Sequence, residues 1–367
     1  MTSPPTHHSA LGPPADQGPL GPTDPLSMAK ALGFGALGGL AFYLLRMPLA
    51  WMMGAAITCT MLALSGVRMG VKPRLRQVMM VVLGVLLGGG FKPGLLNRIV
   101  EWSYSITALT VLTVLSCALC YVFLRRVGGY DRITAYFGSI PGGLAEMTAV
   151  GGAMGADERR IALAHAVRIL TVVMTVPFWF RLHDNIVTSG STGVHFSDLG
   201  LLDVASLLSC GIVGAPLANW IKLPAANMMG PMLLSALVHY FEVTHAQPPA
   251  ELVATAQVVI GTGIGCRFIG MPVRAIGRDL LVAFIAGLMM VGFAAVFTVA
   301  ISALTDLRFP ALLLSFSPGG VAEMSLVALA LGADVAMVST HHLFRIFLVL
   351  LVAPTGYRLM RRWTGRD

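Results

Sequence analysis

Residues 139–168 begin S-I-P-G-G-L-A-E-M, continue with G-A-D at 155–157 and end with H-x-x-R at 165–168. The block returns as S-P-G-G-V-A-E-M at 317–324, G-A-D at 332–334 and H-x-x-R at 342–345. Five residues recur 177 positions later: Pro141 as Pro318, Glu146 as Glu323, Asp157 as Asp334, His165 as His342, and Arg168 as Arg345. This constant offset indicates a tandem duplication, so the fold is interpreted as two related halves.

The composition is that of a membrane protein. Apolar residues make up 56% of the chain and charged residues only 11%, against about 25% charged in a soluble protein. The apolar runs approach the ~20 residues that span a bilayer as a helix. The net charge of +8 comes from short basic clusters between these runs, which is the pattern of the positive-inside rule. The sequence therefore predicts a polytopic α-helical protein in a lipid bilayer, without direct nucleic-acid binding.

The predicted domains follow the repeat. They are a disordered N-terminal tail (1–28), a first membrane repeat (29–182), a linker (183–202), a second membrane repeat (203–360) and a C-terminal tail (361–367). Ten spans are predicted, at about 30–46, 48–65, 76–92, 102–124, 159–181, 203–221, 225–241, 252–270, 280–304 and 335–357.

The course of the two motif segments decides the topology. If each segment returns to its own side, each half has five crossings and the halves are inverted; if each crosses fully, each half has six. With a cytoplasmic N-terminus, five crossings place 18 Lys and Arg residues inside and 5 outside, whereas six crossings give 14 and 9. The positive-inside rule therefore favours two inverted repeats of about five helices, with both termini cytoplasmic.

The motif segments are predicted to be broken or re-entrant helices that bind a substrate. Pro-Gly-Gly interrupts a helix, and a break inside the membrane is tolerated where it is buried in protein or lines a wet cavity. Paired half-helix N-termini form the binding sites of many secondary transporters, and they favour carboxylates in their first turn. The alternatives are a mere kink and a carboxylate that only caps its helix. The candidate substrate-binding residues are Pro141, Gly142, Gly143 and Glu146, with their copies Pro318, Gly319, Gly320 and Glu323.

Two arginines complete the candidate site. Arg168 lies about ten residues into its helix, ~15 Å deep at 1.5 Å per residue, and Arg345 is its copy. An unpaired arginine at that depth costs at least ~2.5–3.5 kcal/mol, which makes it a candidate functional residue. The predicted partners are Glu146 and Glu323, either in structural ion pairs or in pairs that open to accept an anion or a proton.

The remaining polar residues of the block have two alternative interpretations. His165 and His342 are candidate proton carriers because their pKa lies near neutrality; the other interpretation is ordinary buried hydrogen bonding. Asp157 and Asp334 are predicted helix N-caps.

No metal, cofactor or catalytic residue is predicted, and the sequence does not indicate an enzyme. Cys117 and Cys120 form a C-x-x-C without a second ligand pair, and the 21 methionines are common apolar gap-fillers.

The paired S-x-P-G-G-x-A-E-M and G-A-D…H-x-x-R blocks resemble the AbrB-duplication membrane proteins of Gram-negative bacteria, over about residues 30–360. That family carries the labels AbrB-family transcriptional regulator, ammonia monooxygenase and regulator of aidB expression, and the resemblance implies the bacterial inner membrane. The architecture is also similar to inverted-repeat transporters with broken helices.

Three functions remain open from the sequence. The first is a secondary transporter of a small anionic solute; the second is a membrane regulator that alters gene expression indirectly; the third is the membrane oxidoreductase of the family label. The sequence leaves the oligomeric state open, a homo-oligomer included.

Overall fold

The computed structural model describes residues 24–91, 101–184, 194–271 and 273–363. Within these ranges the protein has 14 α-helices and no β-strand. The helices are α1 Pro25–Leu44, α2 Ala50–Leu64, α3 Pro73–Gly88, α4 Ser103–Arg126, α5 Arg132–Ser139, α6 Leu144–Ala153, α7 Glu158–Asp184, α8 Leu201–Trp220, α9 Ala226–Tyr240, α10 Ala250–Gly265, α11 Val273–Ser302, α12 Phe309–Phe316, α13 Val321–Ala330 and α14 Val335–Trp363.

The sequence repeat reappears in the helices and in the turns between them. Helices α1–α7 and α8–α14 follow each other in the same order, with α1 and α2 beginning 176 residues before α8 and α9. Leu49 and Ala225, which precede α2 and α9, both have left-handed backbone at φ 48° and 49°. Arg46 and Lys222 share the same feature at φ 51° and 56°. Non-glycine residues rarely adopt this conformation, so the shared turns are a structural mark of the duplication.

By length and composition the chain is a multi-pass membrane protein. Six helices, α1, α4, α7, α8, α11 and α14, are long and apolar enough to cross a membrane. The other four predicted spans form α2, α3, α9 and α10, which have only 15 or 16 residues. At 1.5 Å per residue these helices are about 23 Å long, shorter than the ~30 Å hydrocarbon core.

Helices α1–α3 and α8–α10 form one unit, here called the six-helix bundle. Within it, α1 meets α2 where Gly54 lies against Gly38, and α8 meets α9 where Gly230 lies against Gly214. Small residues at these crossings allow the backbones to touch, as in many membrane helix pairs. The two halves of the chain are interleaved, because α3 packs on α9 and α2 packs on α10.

The remaining helices, α4–α7 and α11–α14, form the hairpin bundle. In it, α5 and α6 are two arms of a hairpin whose open ends stay together. The Asp157 backbone N–H donates to Thr134 Oγ1 at 2.8 Å, which joins the start of α7 to the start of α5. The Arg160 guanidinium lies 5.0 Å from the centre of the Tyr130 ring, in the turn before α5. These two contacts hold the start of α5 against the start of α7.

Helices α4 and α11 lie side by side and run in opposite directions. Arg278 Nη2, near the start of α11, donates to the carbonyl oxygen of Val127, just after the end of α4, at 3.1 Å. Further along, Thr113 of α4 and Met290 of α11 line the same cavity. Helix α4 is therefore antiparallel to α11, its repeat equivalent.

The predicted tails and linker lie mostly outside the described residues, which exclude 1–23, 185–193 and 364–367. Helix α1 begins at Pro25, capped by Asp24, which is earlier than the predicted boundary at 28. Helix α14 continues to Trp363, beyond the predicted boundary at 360. Near the end of the linker, His195 Nδ1 lies 2.6 Å from Glu251 Oε1. This hydrogen bond and the carboxylate charge raise the pKa of His195, and the contact holds the linker against the start of α10.

Candidate solute site between the helix breaks

The two Pro-Gly-Gly segments meet at one cavity. Helix α5 ends at Ser139 and α6 begins at Leu144, and the second copy has the same interruption between Phe316 and Val321. Pro141 and Pro318, one from each segment, line the same cavity. The full lining is Leu112, Thr113, Ser116, Pro141, Met290, Phe316, Pro318 and Arg345. Its volume of about 10 Å³ is room for one water molecule, so the site is closed around its centre.

The two arginines bind the backbone of the breaks rather than the predicted glutamates. Arg168 donates to the carbonyl oxygens of Ile140 at 3.0 Å and Gly142 at 3.2 Å. Arg345 donates to the equivalent oxygens of Ser317 and Gly319, both at 2.7 Å. Each guanidinium thus occupies the negative end of a half-helix, where a cation is stabilised.

The predicted Glu–Arg ion pairs are not formed because each carboxylate folds back over its own helix start. A Cβ built on Gly143 would collide with the Glu146 carboxylate, and one built on Gly320 with that of Glu323. Each carboxylate is thus in the first turn of its half-helix, where the positive end of the helix stabilises a negative charge. Glycine before each half-helix leaves room for it.

The two copies of the glutamate differ in exposure. Glu146 is exposed, whereas Glu323 is buried, with 9% of its surface accessible to solvent. Sequence identity between the copies therefore does not extend to their surroundings.

The histidines are fully buried and hydrogen-bonded, but in different ways. His165 Nε2 lies 3.0 Å from the carbonyl oxygen of Phe137, and Nδ1 lies 3.3 Å from Arg168 Nη2. Since the carbonyl only accepts and the guanidinium only donates, His165 is neutral with its proton on Nε2. His342 uses Nδ1 for the carbonyl of Val338 at 2.9 Å, and its buried Nε2 has no hydrogen-bond partner among the described residues. The two histidines therefore use different ring nitrogens for their closest backbone carbonyl.

Asp157 and Asp334 both take the geometry of N-caps. Asp157 Oδ1 accepts from the backbone N–H groups of Arg159 at 3.0 Å and Arg160 at 3.2 Å. Asp334 Oδ1 accepts from the N–H of Met337 at 3.0 Å. These bonds fix the start of the two helices that carry Arg168 and Arg345.

Replacing Asp157 with alanine is expected to lower the free energy of unfolding by about 1 kcal/mol, the usual cost of losing an N-cap. Asp157→Asn should retain most of this stability, because the amide oxygen still accepts hydrogen bonds from the backbone N–H groups. The comparison is made by thermal unfolding of the purified protein in detergent. Equal losses for the alanine and asparagine variants would contradict the capping role.

Sequence reasoning missed several residues around the breaks. Thr113 and Ser116 of α4 and Met290 of α11 line the first cavity. A second cavity of the same volume contains Cys120, Arg168 and again Met290. The hydroxyls within apolar α4 were the available signal; nothing marked Met290, because only the packing of α11 on α4 brings it here.

The potential metal-ligating side chains are scattered in the described part of the chain. No group of three or more His, Cys, Asp or Glu side chains that could hold an ion occurs there. Cys117 and Cys120 are both free thiols.

Comparison with known proteins identifies the family of this chain. A family model named AbrB and described as "Transition state regulatory protein AbrB" matches residues 51–361. The chain belongs to the AbrB family. It is 26% identical over 359 residues to the "Uncharacterized protein YhjN" of Bacillus subtilis, covering 91% of this chain and 93% of that protein. It is 24% identical over 330 residues to the "Putative regulator AbrB" of Escherichia coli, covering 89% and 94%. The AbrB family assignment agrees with the resemblance carried by the repeated motif.

Proposed function

We propose that this AbrB-family protein is a secondary transporter that binds a small anionic solute between its two broken helices. The observation that carries the proposal is the shared cavity, in which both prolines and a guanidinium converge. Breaks that meet inside a membrane bundle are a recurrent way of building a transporter site.

The proposal includes an inverted repeat with two re-entrant hairpins. Supporting evidence comes from α4 and its equivalent α11, which run in opposite directions. The contact of Arg160 with Tyr130 supports the return of the first hairpin to its own side. With this topology the basic clusters favour cytoplasmic termini, and the family favours the inner membrane of a bacterium.

The charges around the breaks favour an anion. Among the described residues that line the two cavities, the only charged ones are Arg345 and Arg168. The buried Nε of each has no hydrogen-bond partner in the described structure. The first-turn carboxylates lie outside both linings. A cavity that holds one water is too small for an organic solute, so binding requires the hairpins to separate.

Flux measurements test the proposal. Proteoliposomes containing the protein are expected to take up at least one labelled anion, from a panel of inorganic anions and mono- and dicarboxylates, with saturation and faster than empty liposomes. Labelled organic cations of similar size are the matched control. Uptake of cations alone, or no uptake of any solute, would contradict an anion transporter.

A membrane regulator is the second candidate, because a relative is named as a regulator and the family description names a regulatory protein. In this case the protein binds its ligand without moving it. Thermal stabilisation by an anion, combined with no flux of the same anion, would favour the regulator.

A further inference from the structure

The six-helix bundle and the hairpin bundle share a limited interface. Among the described residues, substantial contacts between them are confined to two places: α3 against α13 and α14, and α2 with the short 3₁₀ turn Cys266–Phe268 against α7. All other extensive packing lies within a bundle. Such an arrangement permits the two bundles to move relative to each other as bodies.

The second hairpin is docked on this interface and the first is not. Every residue of α13 from 321 to 328 is buried, and α13 packs on α3. In α6, the repeat equivalent, Ala145, Glu146 and Ala149 are exposed. Helix α6 has no comparable contact with α10 in the described part of the chain. The two hairpins therefore have different surroundings in this structure.

The ends of α3 and α10 also differ in what they contact. A Cβ built on Gly90, just after α3, would lie 3.0 Å from the Cβ of Val335 at the start of α14. The repeat equivalents of this pair are Arg267 and Glu158. They are not in contact: the Glu158 carboxylate lies against Gly152, where an added Cβ would collide with it.

Arg267 lies in the turn Cys266–Phe268, where the six-helix bundle meets α7. It interacts electrostatically with Arg76 of α3, with Glu323 and with His165, which is seven residues further along α7 than Glu158. Its Nη1 atom is buried and has no hydrogen-bond partner among the described residues. The first half has glycine, Gly90, at the position equivalent to Arg267.

We propose that Arg267 is a positioning residue that exchanges the neighbourhood of one carboxylate, Glu323, for an ion pair with another, Glu158, as the hairpin bundle slides along the six-helix bundle. In the second state, Arg267 and Glu158 are expected to lie against each other as Gly90 and Val335 do here. The inverted repeat makes these two pairs of positions equivalent. Arg267 would move along α7 from His165 to Glu158. These seven residues correspond to a slide of about 10 Å at 1.5 Å per residue. The inference rests on the proposed inverted repeat.

Paired cysteines test the two states without any transported solute. Under a mild oxidant in membranes, Gly90→Cys with Val335→Cys is expected to form a disulfide in the described state, and Glu158→Cys with Arg267→Cys in the other. Both disulfides forming supports the exchange. Glu158→Cys alone is a necessary control, because the native Cys266 is adjacent to Arg267. Failure of either double variant to cross-link, or equal cross-linking of the single variant, would overturn the proposal.

Thiol labelling tests the role of the charge. Ala322 is buried on α13 and is the equivalent of the exposed Ala145, so Ala322→Cys should react with a membrane-impermeant thiol reagent only in the second state. Adding Glu158→Gln is expected to lower this labelling severalfold, because Arg267 loses its partner there. Glu242→Gln removes an exposed carboxylate and should leave it unchanged. Equal labelling of Ala322→Cys with and without Glu158→Gln would reject the proposed role of Arg267. Absence of anion flux would reject only the transport of an anionic solute.

Discussion

Arg168→Ala and Arg345→Ala are each expected to reduce solute flux at least about tenfold while the protein still inserts into the membrane. Each arginine makes two hydrogen bonds to the carbonyls of its break, and bonds from a charged donor contribute about 1.5–3 kcal/mol each. Removing the charge from mid-membrane recovers about 2.5–3.5 kcal/mol of insertion cost. The two effects nearly cancel for insertion. The break loses its geometry, and a barrier increase of 1.4 kcal/mol already slows a step about tenfold.

The measurement is initial uptake by proteoliposomes, normalised to the amount of inserted protein. Arg181→Ala is the matched control, since Arg181 is in the last turn of α7, the helix that carries Arg168. Arg168→Lys should recover little, because an ammonium is a point charge and cannot place two donors on two carbonyls in the fixed geometry of a guanidinium. Wild-type flux in both alanine variants would remove the arginines from the mechanism.

Gly54→Ala and Gly230→Ala are expected to destabilise the protein by about 1–3 kcal/mol or more, the cost of overpacking a tight contact. A Cβ on Gly54 would collide with the backbone of Gly38, and one on Gly230 with the backbone of Gly214. Backbone atoms cannot rotate aside as a side chain can, so the helices of each pair must separate. The midpoint of thermal unfolding in detergent measures the effect.

The same substitution at an open position provides the control with the opposite sign. Gly33 of α1 has no atom within 4 Å of a built Cβ, and alanine is more favourable than glycine inside a helix by about 1 kcal/mol. Gly33→Ala should therefore raise the unfolding temperature. A Gly54→Ala variant as stable as Gly33→Ala would show that the crossing is not tightly packed.

Much of the candidate site could be predicted from the order of residues along the chain. Proline followed by two glycines marks the end of one helix and the start of the next, and it does so at Pro141 and at Pro318. Asp157 and Asp334 precede long helices and accept their free N–H groups, because capping depends only on neighbours within one turn. These features are local, which is why the repeat preserves them in both halves.

Partner choice was less predictable, because it depends on distances in space and on which groups lose water. Spacing on α7 placed Arg168 deep in the bundle, but the same spacing is compatible with an ion pair to Glu146 and with hydrogen bonds to Ile140 and Gly142. The carboxylate stays at its own helix start, where the positive end of the helix stabilises it. Backbone carbonyls left open by the break then take the arginine.

The sequence by itself determined the duplication, the membrane class, the position of both breaks and the polar residues of the repeated block. Only the tertiary structure decided that the breaks share one cavity, that Met290 completes it, and that Glu323 is buried while Glu146 is exposed. The two copies of the motif receive different surroundings because burial depends on which helices pack against each copy, and no pattern within a single copy records that packing.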